Sequence, residues 1–180
     1  MNVLVEANII SYSEDLHRED YYDMFMKYGN WLDTEVLKHY GVHLFPDGDT
    51  KLIESFIPRF TSIKPPIGDI FIIEVDGESA GMGRLSTLEE GIGEVNNVYI
   101  RTKYRRKGLA TLLMGQLEGK AREFGFKTLR LDTAGFNVPA QTLYKKLGYK
   151  DIERYSDKAG FENESTRPYY EEKVFMEKKL

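Results

Sequence analysis

Cysteine is absent from this 180-residue sequence. Its absence excludes disulfide bonds, thiolate metal ligands and a cysteine nucleophile. It also fits a reducing compartment, so we expect a cytoplasmic protein. Long apolar runs are missing as well, since no stretch approaches the about 20 residues that a membrane-spanning helix needs. The first ten residues lack the basic flank of a signal peptide, so neither export nor membrane insertion is predicted.

Acidic residues outnumber basic ones, and the formal net charge is -4. This balance argues against general nucleic-acid binding. The remaining composition, 41% hydrophobic and 30% charged, is ordinary for a single folded domain, here residues 1–180. One local exception is a dense run of positive charge, which we name the basic cluster: Arg101, Lys103, Arg105, Arg106 and Lys107.

The histidines do not form a metal-binding pattern. His39 and His43 are four residues apart, but Gly41 separates them and is predicted to end a helix. His17 lies far from both, and no acid completes a ligand set of suitable spacing. We therefore expect no metal site.

Hydrophobic periodicity and turn residues predict the order of secondary structure. Ser13 and Asp49 are the expected N-caps, Gly29 the expected end of the first helix, and Asp76-Gly77 a hairpin turn. The predicted strands are 3–12, 70–75, 78–88, 94–101, 127–133, 149–155 and 173–177. The predicted helices are 14–28, 32–40, 50–60, 109–124 and 138–147, and residues 156–171 are expected to form a connection. The buried stripe of the fourth helix is predicted to comprise Leu109, Leu112, Leu113, Leu117, Ala121 and Phe124.

This order predicts an α/β fold: a mixed, mostly antiparallel seven-stranded sheet with a central parallel βαβ unit and helices on both faces. The three strands between residues 70 and 101 form a meander. The strand at 94–101 then leads through the helix at 109–124 into the strand at 127–133, which gives the parallel unit.

A phosphate-binding loop is predicted where the basic cluster enters the helix at residue 109. A helix N-terminus presents unpaired amides and a partial positive charge, and Gly108 allows close approach of an anion. Ala110 and Thr111 are small enough not to block it. A Walker loop is excluded because the sequence has no Gly-Lys-Ser or Gly-Lys-Thr, and a dinucleotide fingerprint is excluded because Gly81-Met82-Gly83 lies within a predicted strand. The alternative interpretation is a solvated basic turn.

The run from Val98 to Ala110 resembles the acetyl-CoA signature of the GNAT superfamily of N-acetyltransferases. The family pattern is Arg or Gln, two residues, Gly, one residue, then Gly or Ala, and Arg105, Gly108 and Ala110 fill it. A second segment resembles the family in the same order: Leu131-Asp132-Thr133, Asn137, Ala140 and Leu143 to Tyr149. Thr102 departs from the proline found in many members.

The resemblance implies acetyl-CoA as acetyl donor and direct transfer to a primary amine of a small molecule. It implies a strand bulge at Asn96-Asn97, a wedge between two parallel strands, and the amide of Val98 as oxyanion donor. Tyr144 is implied as general acid for the leaving sulfur, and Glu94 as base, with water as the alternative. The implied cofactor-binding residues are Val98, Tyr99, Ile100, Arg105, Arg106, Lys107, Gly108, Leu109, Ala110, Thr111, Asn137 and Tyr144.

The same resemblance places the acceptor between the first helices and the last strands. The residues it implicates are Tyr28, Trp31, Tyr40, Phe161, Glu162, Glu164, Arg167, Tyr169 and Tyr170. Glu162 and Glu164 could attract an amine, and Arg167 could anchor a carboxylate. Two other functions stay open: a non-catalytic acetyl-CoA-binding sensor or interaction module, and nucleic-acid recognition through the basic cluster. The sequence leaves the oligomeric state open, a homodimer included.

Overall fold

A computed structural model describes residues 6–45, 51–155 and 162–180. Within them, one seven-stranded sheet has the order β1-β2-β3-β4-β5-β7-β6. The strands are β1 (Ala7–Ser11), β2 (Gly68–Val75), β3 (Glu78–Glu89), β4 (Ile92–Ile100), β5 (Thr128–Thr133), β6 (Lys150–Ile152) and β7 (Val174–Lys179). The helices are α1 (Glu14–Tyr40), α2 (Lys51–Glu54), α3 (Ile57–Thr61), α4 (Leu109–Glu123), α5 (Val138–Lys146) and α6 (Arg167–Glu171).

The strand pairing confirms the predicted fold class. β4 and β5 are parallel and are joined by α4, whereas the other neighbouring strands of the described sheet are antiparallel. The predicted hairpin turn is also present, since Asp76 and Gly77 both have positive φ, at 52° and 78°. Two consecutive residues with positive φ match the twist of an antiparallel pair.

The sheet is buried on both faces, which explains the four consecutive apolar residues of β2, Ile70 to Ile73. Ile70 and Ile72 point into the core beneath α1, while Phe71 and Ile73 point into the core beneath α4. The stripe of α4 is as predicted except that Leu112 is 51% exposed and Met114 is fully buried in its place. Packing against a twisted sheet shifts the buried face of α4 by a fraction of a turn.

Gly29 does not end the first helix, and the predicted helices 14–28 and 32–40 are one continuous helix, α1. A β-carbon built on Gly29 would lie 2.3 Å from Ile53 Cδ1. Gly29 therefore serves the close approach of α1 and α2 rather than a chain reversal, a contact between distant segments that local patterns do not reveal. The predicted end of this helix at Gly41 is correct, with φ of 73°.

Two glycine substitutions should have opposite effects on stability. Gly115→Ala should raise the free energy of unfolding by about 1 kcal/mol, because Gly115 is inside α4 with open space around it. Gly29→Ala should lower it, because the new methyl group meets buried Ile53. Chemical denaturation of both variants provides the measurement. Adding Ile53→Val, which removes the clashing Cδ1, should lessen the loss from Gly29→Ala; a loss that stays unchanged would contradict the packing explanation.

Two other predicted segments differ from the structure. The single helix at 50–60 is two short helices, α2 and α3, because Pro58 has no N–H and begins a new helix. The connection at 156–171 contains α6, which begins next to Pro168. The predicted strand 94–101 is shifted to β4 (Ile92–Ile100), and the predicted strand 149–155 is shortened to β6 (Lys150–Ile152). The Asp49 cap and the first residues of the predicted strand 3–12 lie outside the described residues.

Ser13 occupies the N-cap position of α1, but its side chain makes no capping hydrogen bond. Its backbone N–H instead donates to Nδ1 of buried His17 at 2.8 Å. This histidine therefore stabilises the start of α1. The other two histidines also have structural neighbours: His43 Nδ1 lies 2.7 Å from Asp33 Oδ2, and His39 stacks on Phe136.

Candidate active site

The central feature of β4 is a bulge at the position predicted from Asn96-Asn97. Asn96 is paired with Arg84, but the next recorded pair joins Tyr99 to Met82, so one residue of β3 faces two of β4. Asn97 has φ of 52°, a conformation that asparagine tolerates better than most residues. The extra residue turns Tyr99 onto the α1 face, opposite to Val95.

β4 and β5 separate beyond the first part of their length. Their recorded pairs run only from Ile92 with Thr128 to Glu94 with Arg130. Past that point β5 pairs with β7, and β4 pairs with β3. The predicted wedge between two parallel strands is therefore present, and Val98, Tyr99 and Ile100 lie on the β4 side of it.

The start of α4 has the geometry of an anion-binding loop. Gly108 is the N-cap with φ of 80°, and a β-carbon there would meet no atom within 4 Å. No side-chain cap satisfies the first amides of the helix, those of Leu109, Ala110 and Thr111. Arg106 also has positive φ, at 62°. The left-handed turn therefore leaves the amides of the helix start open to a phosphate.

The basic cluster contains two groups of residues: Arg101 and Lys103 form ion pairs, and the other three are exposed. Arg101 is a structural residue, because its guanidinium pairs with Asp20 and Asp23 of α1 and donates to the Ser79 carbonyl at 2.8 Å. Lys103 pairs with Glu78. The exposed remainder is Arg105, Arg106 and Lys107, beside the start of α4. Two of the five charges are thus paired with carboxylates, and the other three lie beside the start of α4.

Arg105 connects this loop to the end of β4. Its Nε donates to the Ile100 carbonyl at 2.9 Å, and its guanidinium lies 5.7 Å from the centre of the Tyr99 ring. Lys107 lies 5.5 Å from the Tyr104 ring. These contacts hold the loop against β4, at the mouth of the wedge.

Tyr144 lies on α5 and is only 7% exposed. Burial raises the pKa of its phenol above the ordinary value, and Tyr28 and Asp132 raise it further. Both neighbours line a cavity on the α1 side of the sheet, so Tyr144 lies close to that cavity. The raised pKa keeps the phenol protonated and able to donate a hydrogen bond at neutral pH.

Asn137 stands at the N-cap position of α5, yet its side chain makes no capping hydrogen bond. It lines the cavity instead. The side-chain amide of Asn137 is therefore available for another partner.

A cavity of about 990 Å³ lies on the α1 side of the sheet. Its walls come from α1, α3, α6, the strands β3 and β4, and the end of β5. The polar and aromatic side chains that line it include Tyr28, Trp31, Arg59, Phe60, Lys64, Arg84, Glu94, Asn96, Asn97, Asp132, Asn137, Tyr169, Tyr170 and Lys173. The wedge therefore lies between this cavity on one side and the start of α4 on the other.

Two carboxylates face this cavity. Glu94 accepts a hydrogen bond from the Tyr155 hydroxyl at 3.0 Å, and Asp132 pairs with Lys173 at 2.5 Å. Burial raises the pKa of Tyr28 to about 12, with a further contribution from Asp132. Burial also raises the pKa of Tyr155, with Glu94 adding to the shift. Both phenols are therefore protonated donors at neutral pH.

The predicted acceptor residues are only partly brought together. Tyr28, Trp31, Tyr169 and Tyr170 line the cavity. The others lie outside its lining. Tyr40 donates to Glu172 at 2.6 Å, Glu162 pairs with Arg154 at 2.8 Å, Glu164 and Arg167 are exposed, and Phe161 is outside the described residues.

Arg84 is a half-buried cationic side chain on the cavity wall that was not predicted as a site residue. A signal was available, because Arg84 interrupts the otherwise apolar segment from Ala80 to Leu85 of a strand buried on both faces. A charged side chain at such a position lowers stability unless a partner or a ligand compensates its charge.

Within the described residues, no three metal-ligating side chains of His, Cys, Asp or Glu form a group that could hold an ion. No helix in the same part of the chain has the length and apolar character to cross a bilayer.

Solved structures share this fold over almost the whole chain. The GNAT domain of S. lividans PAT superimposes with a TM-score of 0.68 at 16% identity, covering 99% of this chain and 95% of that one. A GNAT family acetyltransferase from Elizabethkingia anophelis, solved with acetyl-CoA bound, gives a TM-score of 0.65 at 14% identity, with 97% and 98% covered. The wedge-containing mixed sheet is thus the fold of acetyltransferases of this class.

Sequence comparison agrees with the fold. The sequence model of the Acetyltransferase (GNAT) family matches residues 31–149, and this chain therefore belongs to the GNAT family. A relative in Escherichia coli, the uncharacterized N-acetyltransferase YjgM, is 36% identical over 86 residues. That match covers 46% of this chain and 52% of YjgM, so the chain spans about half of the length of this relative.

Proposed function

We propose that this protein is an acetyl-CoA-dependent N-acetyltransferase that acts on a primary amine of a small molecule. One observation carries the proposal: the gap between β4 and β5 opens toward the start of α4 on one side and toward the cavity on the other. A donor bound at α4 and an acceptor bound in the cavity would meet there. A neighbour of the same fold was solved with acetyl-CoA bound, which supports the choice of donor.

The donor side fits a coenzyme diphosphate. The amides of Leu109, Ala110 and Thr111 would hold the phosphates, and Gly108 leaves space for them. Arg105, Arg106 and Lys107 add positive charge. The exposed β4 edge at Val98 to Ile100 would pair with the pantetheine amides as an added strand does. When bound, acetyl-CoA supplies the activated thioester; every further contribution comes from the chain.

Three groups would promote the transfer. The amide of Val98 stabilises the negative charge that develops on the thioester oxygen. Glu94, directly or through water, takes a proton from the attacking amine, whose nitrogen bonds to the acetyl carbon while the carbon–sulfur bond breaks. Tyr144 donates to the departing sulfur, which leaves as the thiol of coenzyme A. The products are the N-acetylated amine and free coenzyme A, and no covalent enzyme intermediate is needed.

The test is release of the coenzyme A thiol across a panel of amino acids, polyamines, aminoglycosides and peptide N-termini. Because the protein has no cysteine, a thiol reagent detects coenzyme A without background from the chain. We expect amine-dependent thiol release and an acetylated product by mass spectrometry. Intersecting initial-rate lines support a ternary complex, whereas parallel lines contradict direct transfer. Binding of acetyl-CoA without amine-dependent release would favour the sensor alternative.

Glu94→Gln tests the assigned base. We expect kcat/KM for the amine to fall about a hundredfold at pH 7, the range typical of a general base. The deficit should shrink as the pH approaches the amine pKa of about 10, because the free amine then no longer needs a base. Rates are measured between pH 6 and 10, with Glu90→Gln, an exposed turn residue, as control. Equal rates for Glu94→Gln and the native protein would leave water as the base.

A further inference from the structure

Arg84 has an incomplete set of partners on the cavity wall. It lies on the face of β3 that is covered by α1 and α3, and its guanidinium carbon is 4.1 Å from the centre of the Phe60 ring. Its Nη2 donates to Asn96 Oδ1 at 2.9 Å. Its Nε is buried and has no hydrogen-bond partner in the described part of the chain. A guanidinium has five N–H donors, so most of its hydrogen-bonding capacity stays unused.

Within the described segments Arg84 also lacks a direct ion-pair partner, although Glu94 attracts its charge from a distance. Among residues 6–45, 51–155 and 162–180, no carboxylate forms an ion pair with it. The other half-buried arginines of the sheet differ: Arg101 pairs with two acids of α1, and Arg130 pairs with Glu89 and Glu177. Burial lowers the pKa of Arg84 and nearby Arg59 adds to the shift, whereas the attraction of Glu94 opposes it. Buried charges in folded proteins are normally paired.

Positive side chains lie together on the wall of the cavity beside α3. Arg59 and Lys64 line it beside α3, are exposed and form no ion pair among the described residues. They extend the positive region that begins at Arg84. Glu94 lies diagonally across from Arg84 on the same sheet face, at the last recorded pair before β4 and β5 separate. The cavity therefore has an anion-binding part next to the candidate base.

We propose that the acceptor is an amine that also carries a carboxylate, as amino acids do, and that Arg84 binds this carboxylate through Nε and an adjacent Nη. This inference rests on the proposed acetyl transfer and deepens it. The two-pronged contact supplies the partner that Nε lacks and neutralises the guanidinium, and it leaves the amine facing Glu94 and the wedge. Polycationic acceptors such as polyamines and aminoglycosides are disfavoured, because Arg84, Arg59 and Lys64 repel them.

The experiment compares matched acceptors: each amino acid, its carboxamide, the amine without the carboxylate, and a polyamine. With the native protein, kcat/KM for the preferred amino acid should exceed that of its carboxamide about 10- to 100-fold, the effect of a charged hydrogen-bonded pair. Arg84→Gln should raise KM for the amino acid by a similar factor and leave the dissociation constant of acetyl-CoA unchanged. Arg84→Lys should raise KM less than Arg84→Gln does, because a lysine keeps the positive charge but cannot donate two parallel hydrogen bonds to one carboxylate. Arg122→Gln, an exposed arginine on α4, is the control.

The outcomes separate this inference from the proposed function. Equal acetylation of the amino acid and its carboxamide, or a preference for the polyamine, overturns the role of Arg84 while acetyl transfer stands. Absence of thiol release with every amine overturns both. Thermal unfolding verifies that Arg84→Gln is folded; if it is not, the acceptor comparison with the native protein alone decides.

Discussion

Tyr144→Phe should lower kcat about a hundredfold or more, in the range of a lost general acid, while acetyl-CoA binding stays unchanged. The substitution removes one hydroxyl and retains the aromatic ring, so the packing of α5 is preserved. The departing thiolate then has no donor. Because burial raises the Tyr144 pKa, the phenol stays protonated across the usual assay range, and the native protein should show no alkaline loss of kcat from this group below pH 9. Steady-state rates of thiol release, with coenzyme affinity by calorimetry, provide the measurement.

Tyr149→Phe is the matched control for this prediction. Tyr149 is also buried, and its ring centre is 6.0 Å from that of Tyr144. The Tyr149→Phe substitution removes an equivalent hydroxyl oxygen from the same core and leaves Tyr144, the proposed donor to the sulfur, intact. We expect its kcat to remain within about twofold of the native value, as for a residue outside the chemistry. Undiminished turnover in Tyr144→Phe, or equal losses in the two variants, would remove Tyr144 from the mechanism.

Gly108→Ala should weaken acetyl-CoA binding about tenfold to hundredfold, the effect of losing charge-assisted hydrogen bonds. Gly108 has φ of 80°, so the added methyl group either strains the turn or rotates the amides of α4 away from the phosphates. The protein itself has room for the added methyl group, because a β-carbon at Gly108 meets no atom within 4 Å. The methyl group would instead extend into the space assigned to the coenzyme.

Gly125→Ala separates the strain of this turn from coenzyme binding. Gly125 follows the other end of α4, has φ of 86°, and is equally open. Both variants should lose about 1–2 kcal/mol of stability from the left-handed conformation. Only Gly108→Ala should change the dissociation constant of acetyl-CoA, measured by calorimetry. A similar loss of affinity in both variants would show that the phosphates do not bind at the start of α4.

Much of the fold was predictable because its signals are local. Asp76-Gly77 specifies a tight hairpin with positive φ whatever surrounds it, and the leucine periodicity of α4 identifies a buried helix. The errors occur where distant contacts override local preference. Gly29 is a frequent helix terminator, yet it lies inside α1 because Ile53 packs against it from a segment more than twenty residues away.

In the candidate site, too, residues with local signals were predictable and residues brought together by distant contacts were not. The candidate donor side was predictable, because Gly108 before a helix permits close approach of an anion and the family resemblance implied the bulge at Asn96-Asn97. The acceptor side was not, since its walls come from strands and helices that meet only in the folded sheet. Arg167 was therefore the predicted carboxylate anchor, whereas the half-buried guanidinium on the cavity wall belongs to Arg84.

The sequence by itself determined most of the strands, the hairpin turn at Asp76-Gly77 and the glycine before α4, because each depends on the conformational preferences of a few neighbouring residues, and its resemblance to a known family indicated the bulge in β4. Only the tertiary structure decided which charges are paired and which face the cavity. Arg101 and Arg84 are both arginines of the central strands or their ends, but α1 brings two carboxylates to the first and none to the second among the described residues. Charge pairing depends on distances between remote segments, and those distances exist only in the folded chain.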